Sequence, residues 1–176
     1  MSVTAVFFTA YTVYMEILNY DRTAVYNYAK KWAFGRNPKF YDFSAIGGDC
    51  TNFASQCVYA GAQIMNYTPT FGWYYTSVNQ RTPSWTGVEY FYNFLVNNSE
   101  GAGPFAEERP LDELEIGDIV QLGRATGDFY HSPVVVRIDR GKIFIAAHSY
   151  DAFNRPLSSY NFERARGIHI LGVRKL

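Results

Sequence analysis

The stretch GGDCTNFASQ, residues 47 to 56, sets Cys50 directly after Gly-Gly-Asp and at the head of an amphipathic run. Backbone N–H groups at a helix start lack intrahelical partners and sit at the positive end of the helix dipole, so a sulfur placed there is favoured as thiolate. Helix-start cysteines near a histidine ionise well below the free value of about 8.5, and the thiolate is the attacking species. The same N–H groups point into the space in front of the sulfur, where an oxyanion would form. Gly47 and Gly48 leave room for a carbonyl to approach. Asp49 is the expected N-cap, and Gly48, Asp49 and Asn52 are assigned to substrate binding. The other cysteine, Cys57, falls on the apolar face and reads as a buried, inert thiol. Two helical turns would separate the two by roughly 10 Å, beyond the disulfide limit of about 7 Å, so no bridge is expected.

A nucleophilic cysteine needs a base, and the chain has three histidines. His131 opens the strand-like run HSPVVVRI, and His148 closes the next, KIFIAAHS. If Arg140 and Gly141 form a two-residue turn, His148 pairs with Pro133 and becomes a diagonal neighbour of His131 on one face. One imidazole would then take the thiol proton while the other orients it. Asp151, three residues past His148, is the rival orienter. His169 reads as a surface or packed histidine and Asp118 as a turn residue. Activity is expected to rise along an acidic limb as the coupled pair reaches its productive charge state. No C-x-x-C or H-x-x-x-H pair is present, so neither a metal nor a cofactor is expected.

The elements that must position these groups are legible in part. YDRTAVYNYAKKWAFG has Asp21 as N-cap, an apolar face of Val25, Tyr28, Ala29 and Trp32, and Gly35 past its end. The helix starting at Cys50 carries Phe53, Ala54, Cys57 and Val58 on one stripe that Ile64 and Met65 extend. Gly61 either ends it near Ala60 or lies inside a longer helix against a close neighbour. Residues 66 to 84 hold Pro69, Gly72 and Pro83 with the aromatic run FGWYY, and read as a long loop whose Trp73, with Trp85 beyond it, would wall the substrate cleft. WTGVEYFYNFLVNN, capped by Ser84, gives a third helix with Val88, Phe91, Phe94 and Leu95 inward. Then DIVQLG, HSPVVVRI, KIFIAAHS and GIHILGVRKL are short β-branched runs, with DRGK a hairpin turn. Helices first and an antiparallel sheet after is an α+β order.

At 176 residues, 48% apolar and 18% charged, the chain reads as one domain, residues 21 to 176, behind an N-terminal extension, residues 1 to 20. Sixteen basic and sixteen acidic side chains leave no net field to attract nucleic acid or an anionic membrane. The apolar opening MSVTAVFFTAYTVYMEILNY lacks a basic n-region and a clear cleavage site, and Glu16 interrupts it, so neither a signal peptide nor a membrane span is assigned and the compartment stays open. Fifteen Tyr and fourteen Phe suit a cleft that holds sugars or peptides.

In order, the cysteine, the strand-start histidine and the next-strand histidine resemble the papain-like cysteine peptidase superfamily in its NlpC-type form. The chain is more closely similar to the amidase 6 domain family. The resemblance runs from YDRTAVYNYAKKWAFGRNP through FSAIGGDCTNFASQCVYAG, GWYY, SWTGVEYFYNFL and EIGDIVQL to AAHSYDAFNRPLSSY. It implies a papain-like fold with N-terminal helices on a C-terminal antiparallel sheet or small half-barrel. It also implies Cys50 as nucleophile, His131 as general base, and His148 or Asp151 as third member, with hairpin geometry favouring His148. The expected function is cysteine-dependent hydrolysis of an amide bond in a peptide or peptidoglycan fragment by a monomer. The alternatives are an acyltransferase working through the same thioester and a non-catalytic module that binds glycan or peptide in the aromatic groove.

Overall fold

The structure, a computed structural model, describes residues 15 to 176; the expectation for residues 1 to 14 lies outside them. In chain order the elements are β1 (Glu16–Leu18), α1 (Arg22–Trp32), α2 (Cys50–Ala62), β2 (Tyr75–Ser77), β3 (Gln80–Arg81), α3 (Pro83–Thr86) and α4 (Val88–Asn97). There follow β4 (Gly103–Arg109), β5 (Ile119–Gly123), β6 (Phe129–His131), β7 (Val134–Asp139), β8 (Lys142–Ala147), β9 (Ala152–Pro156) and β10 (Arg164–Lys175). Helices precede an antiparallel sheet of order β1-β10-β5-β7-β8-β9, with β4 also on β10 and β6 on β5, so the α+β expectation holds and the sheet curls into a half-barrel. Residues 16 to 20, expected in the extension, belong to the fold: Glu16–Leu18 pairs with the end of β10, and the Tyr20 hydroxyl donates to the Gly117 carbonyl.

The continuous apolar run at residues 133 to 136 has its reason in burial on both faces of the sheet. Val134 and Val136 face the helices together with Ile119, Ala146, Ile168 and Ile170. Val135 faces the opposite way, into a second core with Val120, Leu122, Ile145, Ala147 and Leu157 that the curled strands enclose.

Helix α2 is the axis of the larger core. Eleven of its thirteen residues are buried, and the side chains of Thr51, Asn52, Ser55 and Gln56 among them each have at least one partner. The Asn52 carbonyl oxygen accepts from Trp85 Nε1 at 2.9 Å, Ser55 Oγ from Trp73 Nε1 at 3.0 Å, and Gln56 Oε1 from the Tyr28 hydroxyl at 2.6 Å. Unpaired, these groups would cost about 1–3 kcal/mol each; paired, they lock the helix in rotation. Gly61 lies inside the helix, because a Cβ there would come within 2.6 Å of Val25 and 2.9 Å of the Asp21 carbonyl where α1 begins. Gln63, in left-handed conformation, caps the end.

Asp118 is no simple turn residue, and His169 is packed, as one of its two readings had it. Fully buried, Asp118 accepts from Arg22 Nη1 at 2.7 Å and lies 2.7 Å from His169 Nδ1, pinning α1 to β10.

Candidate active site

The loop into Cys50 is shaped by Gly47 and Gly48, whose φ of 108° and 102° would strain other residues, and by the Gly48 N–H donating to the Phe43 carbonyl. Asp49 occupies the N-cap position, yet its carboxylate turns inward instead of capping the helix. Oδ1 accepts from the Phe43 N–H at 2.9 Å and Asn52 Nδ2 at 2.8 Å, and Oδ2 lies 2.6 Å from His148 Nδ1. The Asp49 side chain makes no capping bond to the first turn of α2, which leaves its N–H groups without that acceptor.

Cys50 lines a cleft of about 290 Å³ together with Gly48, Tyr130, His131, Tyr150 and Tyr160, among others. Cys50 is 9% exposed, its Sγ lying 3.9 Å from the Tyr130 carbonyl and 3.8 Å from Thr51 Oγ1. His131 ends β6, where it is 6% exposed opposite Leu122 of β5. Its Nε2 is buried without a partner, and the residue lines the same cleft as Cys50. The Tyr160 ring packs 5.7 Å from the imidazole, its hydroxyl also buried and unpartnered, and Arg155 covers the far face of Tyr160 at 3.9 Å.

Burial, helped by the charge of Arg155, lowers the His131 pKa from 6.5 to about 4. Burial likewise pushes the Cys50 thiol up, outweighing hydrogen bonds from Thr51 and Ser132 that favour the anion. This differs from the expectation of a ready thiolate: in this cleft desolvation works against charge on either side chain. Cys57, fully buried in the core, is pushed well up by burial, in keeping with an inert thiol.

His148 stands elsewhere. The turn at Arg140 and Gly141 is the expected one, with φ of 50° and 75° and Asp139 opposite Lys142. A bulge between Val135 and Arg137 then slips the pairing by one residue, so Val134 faces Ala146. A one-residue slip reverses which face each later side chain takes. His148 therefore points under α2, stacked on Phe53 at 3.9 Å, with Nε2 donating to the Trp32 carbonyl at 2.9 Å. Its ring nitrogens face a carboxylate and a carbonyl, both acceptors, so a proton must also lie within the Asp49 contact. Neither nitrogen bonds His131, which corrects the hairpin argument. Asp151 is likewise engaged, gripped by Arg36 through two bonds of 2.9 and 3.0 Å.

Of the five residues assigned to substrate, Gly48 lines the cleft, whereas Asp49, Asn52, Trp73 and Trp85 are buried at 0–1% exposure and serve the core. The cleft walls come instead from Tyr130, Tyr150, Tyr160 and Asn161. Ser149 and Tyr150, at φ of 65° and 147°, form a strained turn that Ser149 ties to the cysteine loop by accepting the Asp49 N–H at 2.7 Å. That turn holds the Tyr150 ring 83% exposed at the mouth. Its one sequence sign was the HSY triplet beside His148.

Among the described residues no helix is long and apolar enough to cross a membrane. No solved structure matches the chain. It is 32% identical over 137 residues to the Bacillus subtilis (strain 168) protein named "Uncharacterized protein YhbB", a stretch covering 76% of this chain and 42% of that relative, so the chain spans less than half the length of the curated relative it matches. A family profile described as "Putative amidase domain" matches residues 19–171, which supports hydrolase activity at a coarse level, and on that match the chain belongs to this amidase-domain family.

Proposed function

We propose that the chain is a cysteine-dependent hydrolase of peptide amide bonds, built on a papain-like plan, with Cys50 as nucleophile and His131 as general base. The observation that carries this reading is that one cleft is lined both by a cysteine at a helix start with no side-chain cap and by a histidine whose Nε2 is buried without a partner.

A substrate carbonyl enters past Gly48, which adds no side chain to the path. Sγ attacks the carbonyl carbon while the His131 imidazole takes the thiol proton. Because burial disfavours an isolated imidazolium, transfer and attack proceed together, the new positive charge being offset by the oxyanion that the first-turn N–H groups of α2 receive. The imidazolium then protonates the leaving amine as the C–N bond breaks. Water, deprotonated by the same imidazole, attacks the thioester, the carboxylic acid leaves and the thiol is restored. Tyr160 packs against the imidazole and keeps it in place, and the Asp49–His148 pair fixes the loop that presents Cys50.

Incubation with a mixed peptide library, read by mass spectrometry for new amine and carboxylate ends, tests the proposal. Cleavage by the native chain and none by Cys50→Ala or His131→Asn is expected. Cleavage that survives Cys50→Ala contradicts it, and products that appear only with an added amine would make the chain an acyltransferase instead.

A further inference from the structure

Between α4 and the turn that follows α2 lies a second cavity, about 350 Å³, that shares no lining residue with the cysteine cleft. Its wall on α4 repeats Tyr90, Asn93, Phe94 and Asn97, an i, i+3, i+4, i+7 stripe, and the facing wall is the turn Thr68–Gly72. No acidic or basic side chain lines it.

The turn is held to present one ring. Gly72 N–H donates to the Thr68 carbonyl at 2.8 Å, and Asn66 and Trp73 exchange backbone bonds at its base. A Cβ on Gly72 would lie 2.2 Å from the Asn66 carbonyl, so the closure admits only glycine. Thr70 accepts a φ of 64°, unusual for a β-branched residue, and beside it Phe71 stands 83% exposed. Backbone strain that leaves a large apolar ring in water is destabilising unless something covers the ring.

The polar groups around it fit a hydroxyl-rich ligand. Hydrogen bonds among the described residues use the Asn98 amide nitrogen, toward the Ala102 and Pro104 carbonyls, and the Asn97 amide nitrogen, toward the Asn93 carbonyl. They leave the Asn93 carboxamide, the Asn97 and Asn98 carboxamide oxygens, and the hydroxyls of Thr68, Thr70 and Tyr90 unengaged. A sugar hydroxyl both donates and accepts, and so matches a mixed set of amides and hydroxyls. The apolar face of a sugar ring covers an exposed aromatic. A charged ligand would find no counter-charge here.

We propose that this cavity binds a neutral glycan, with Phe71 as stacking platform and Asn93 as the principal polar contact, independently of Cys50. The test is a titration of the ¹⁵N-labelled chain with chitotetraose and with cellotetraose, tetra-alanine serving as the peptide comparator. Saturable shifts at Thr70, Phe71, Asn93 and Asn97 with at least one saccharide are expected. Phe71→Ala and Asn93→Ala, both at exposed positions, should each weaken binding about tenfold or more, and Cys50→Ala should leave it unchanged. Absence of saturable shifts with both saccharides, shifts confined to the cysteine cleft, equal binding of tetra-alanine, or native affinity in both variants would overturn the proposal.

Discussion

The burial that keeps His131 uncharged should make the protein's stability fall as pH falls, by an amount that can be worked out. In the unfolded chain the imidazole titrates near 6.5 and in the folded cleft near 4. Between those values the unfolded state binds a proton that the folded state refuses, so acidification favours unfolding; above about pH 7 this group contributes no slope. A separation of about 2.5 units corresponds to roughly 3 kcal/mol over the full window, of which about 2 kcal/mol falls between pH 7 and pH 5. Other groups also titrate, so the quantity to measure is a difference. Urea unfolding of the native chain and of His131→Asn, each at both pH values, can be followed by the fluorescence of Trp73 and Trp85, which are fully buried when folded. The native chain should lose about 2 kcal/mol more than the variant. Equal losses would mean that His131 titrates as though in water, and the account of a buried, uncharged imidazole in the cleft would fail with it.

Removing His148 leaves the Asp49 carboxylate buried with its nearest partner gone, so His148→Ala should cost about 3–5 kcal/mol in thermal or urea unfolding. Trp85→Phe, which strands the Asn52 carbonyl oxygen inside α2, should lower stability by about 1–3 kcal/mol and leave KM for a cleaved peptide unchanged; a large KM change would return Trp85 to the cleft. Tyr150→Gly removes the exposed ring and relieves a positive φ, so stability should hold or rise by about 1 kcal/mol while KM increases.

Local signals in the chain reached far. The Gly-Gly-Asp-Cys stretch announced the helix that begins at Cys50, because a helix start is written in adjacent residues. The Arg140–Gly141 turn was equally legible, since left-handed turn geometry selects for glycine. What failed was non-local. The bulge near Val136 leaves no mark in a run of three valines, yet it decides which face His148 takes. Trp73 and Trp85 look like cleft aromatics until the amides and hydroxyls of α2 are seen to accept their N–H groups. β4 went unread because Gly103, Pro104 and three charged residues hide a strand that is stabilised by pairing with β10 more than by its own propensity.

Alkylation by iodoacetamide, mapped by mass spectrometry, tests the pairing of Cys50 with His131 most directly. The reagent should label Cys50 and spare Cys57, which is fully enclosed, and the rate at Cys50 should drop at least about tenfold in His131→Asn, since base removal forfeits a factor of order 10² or more. Labelling of Cys50 at the native rate in that variant would show that the imidazole does not act on the sulfur.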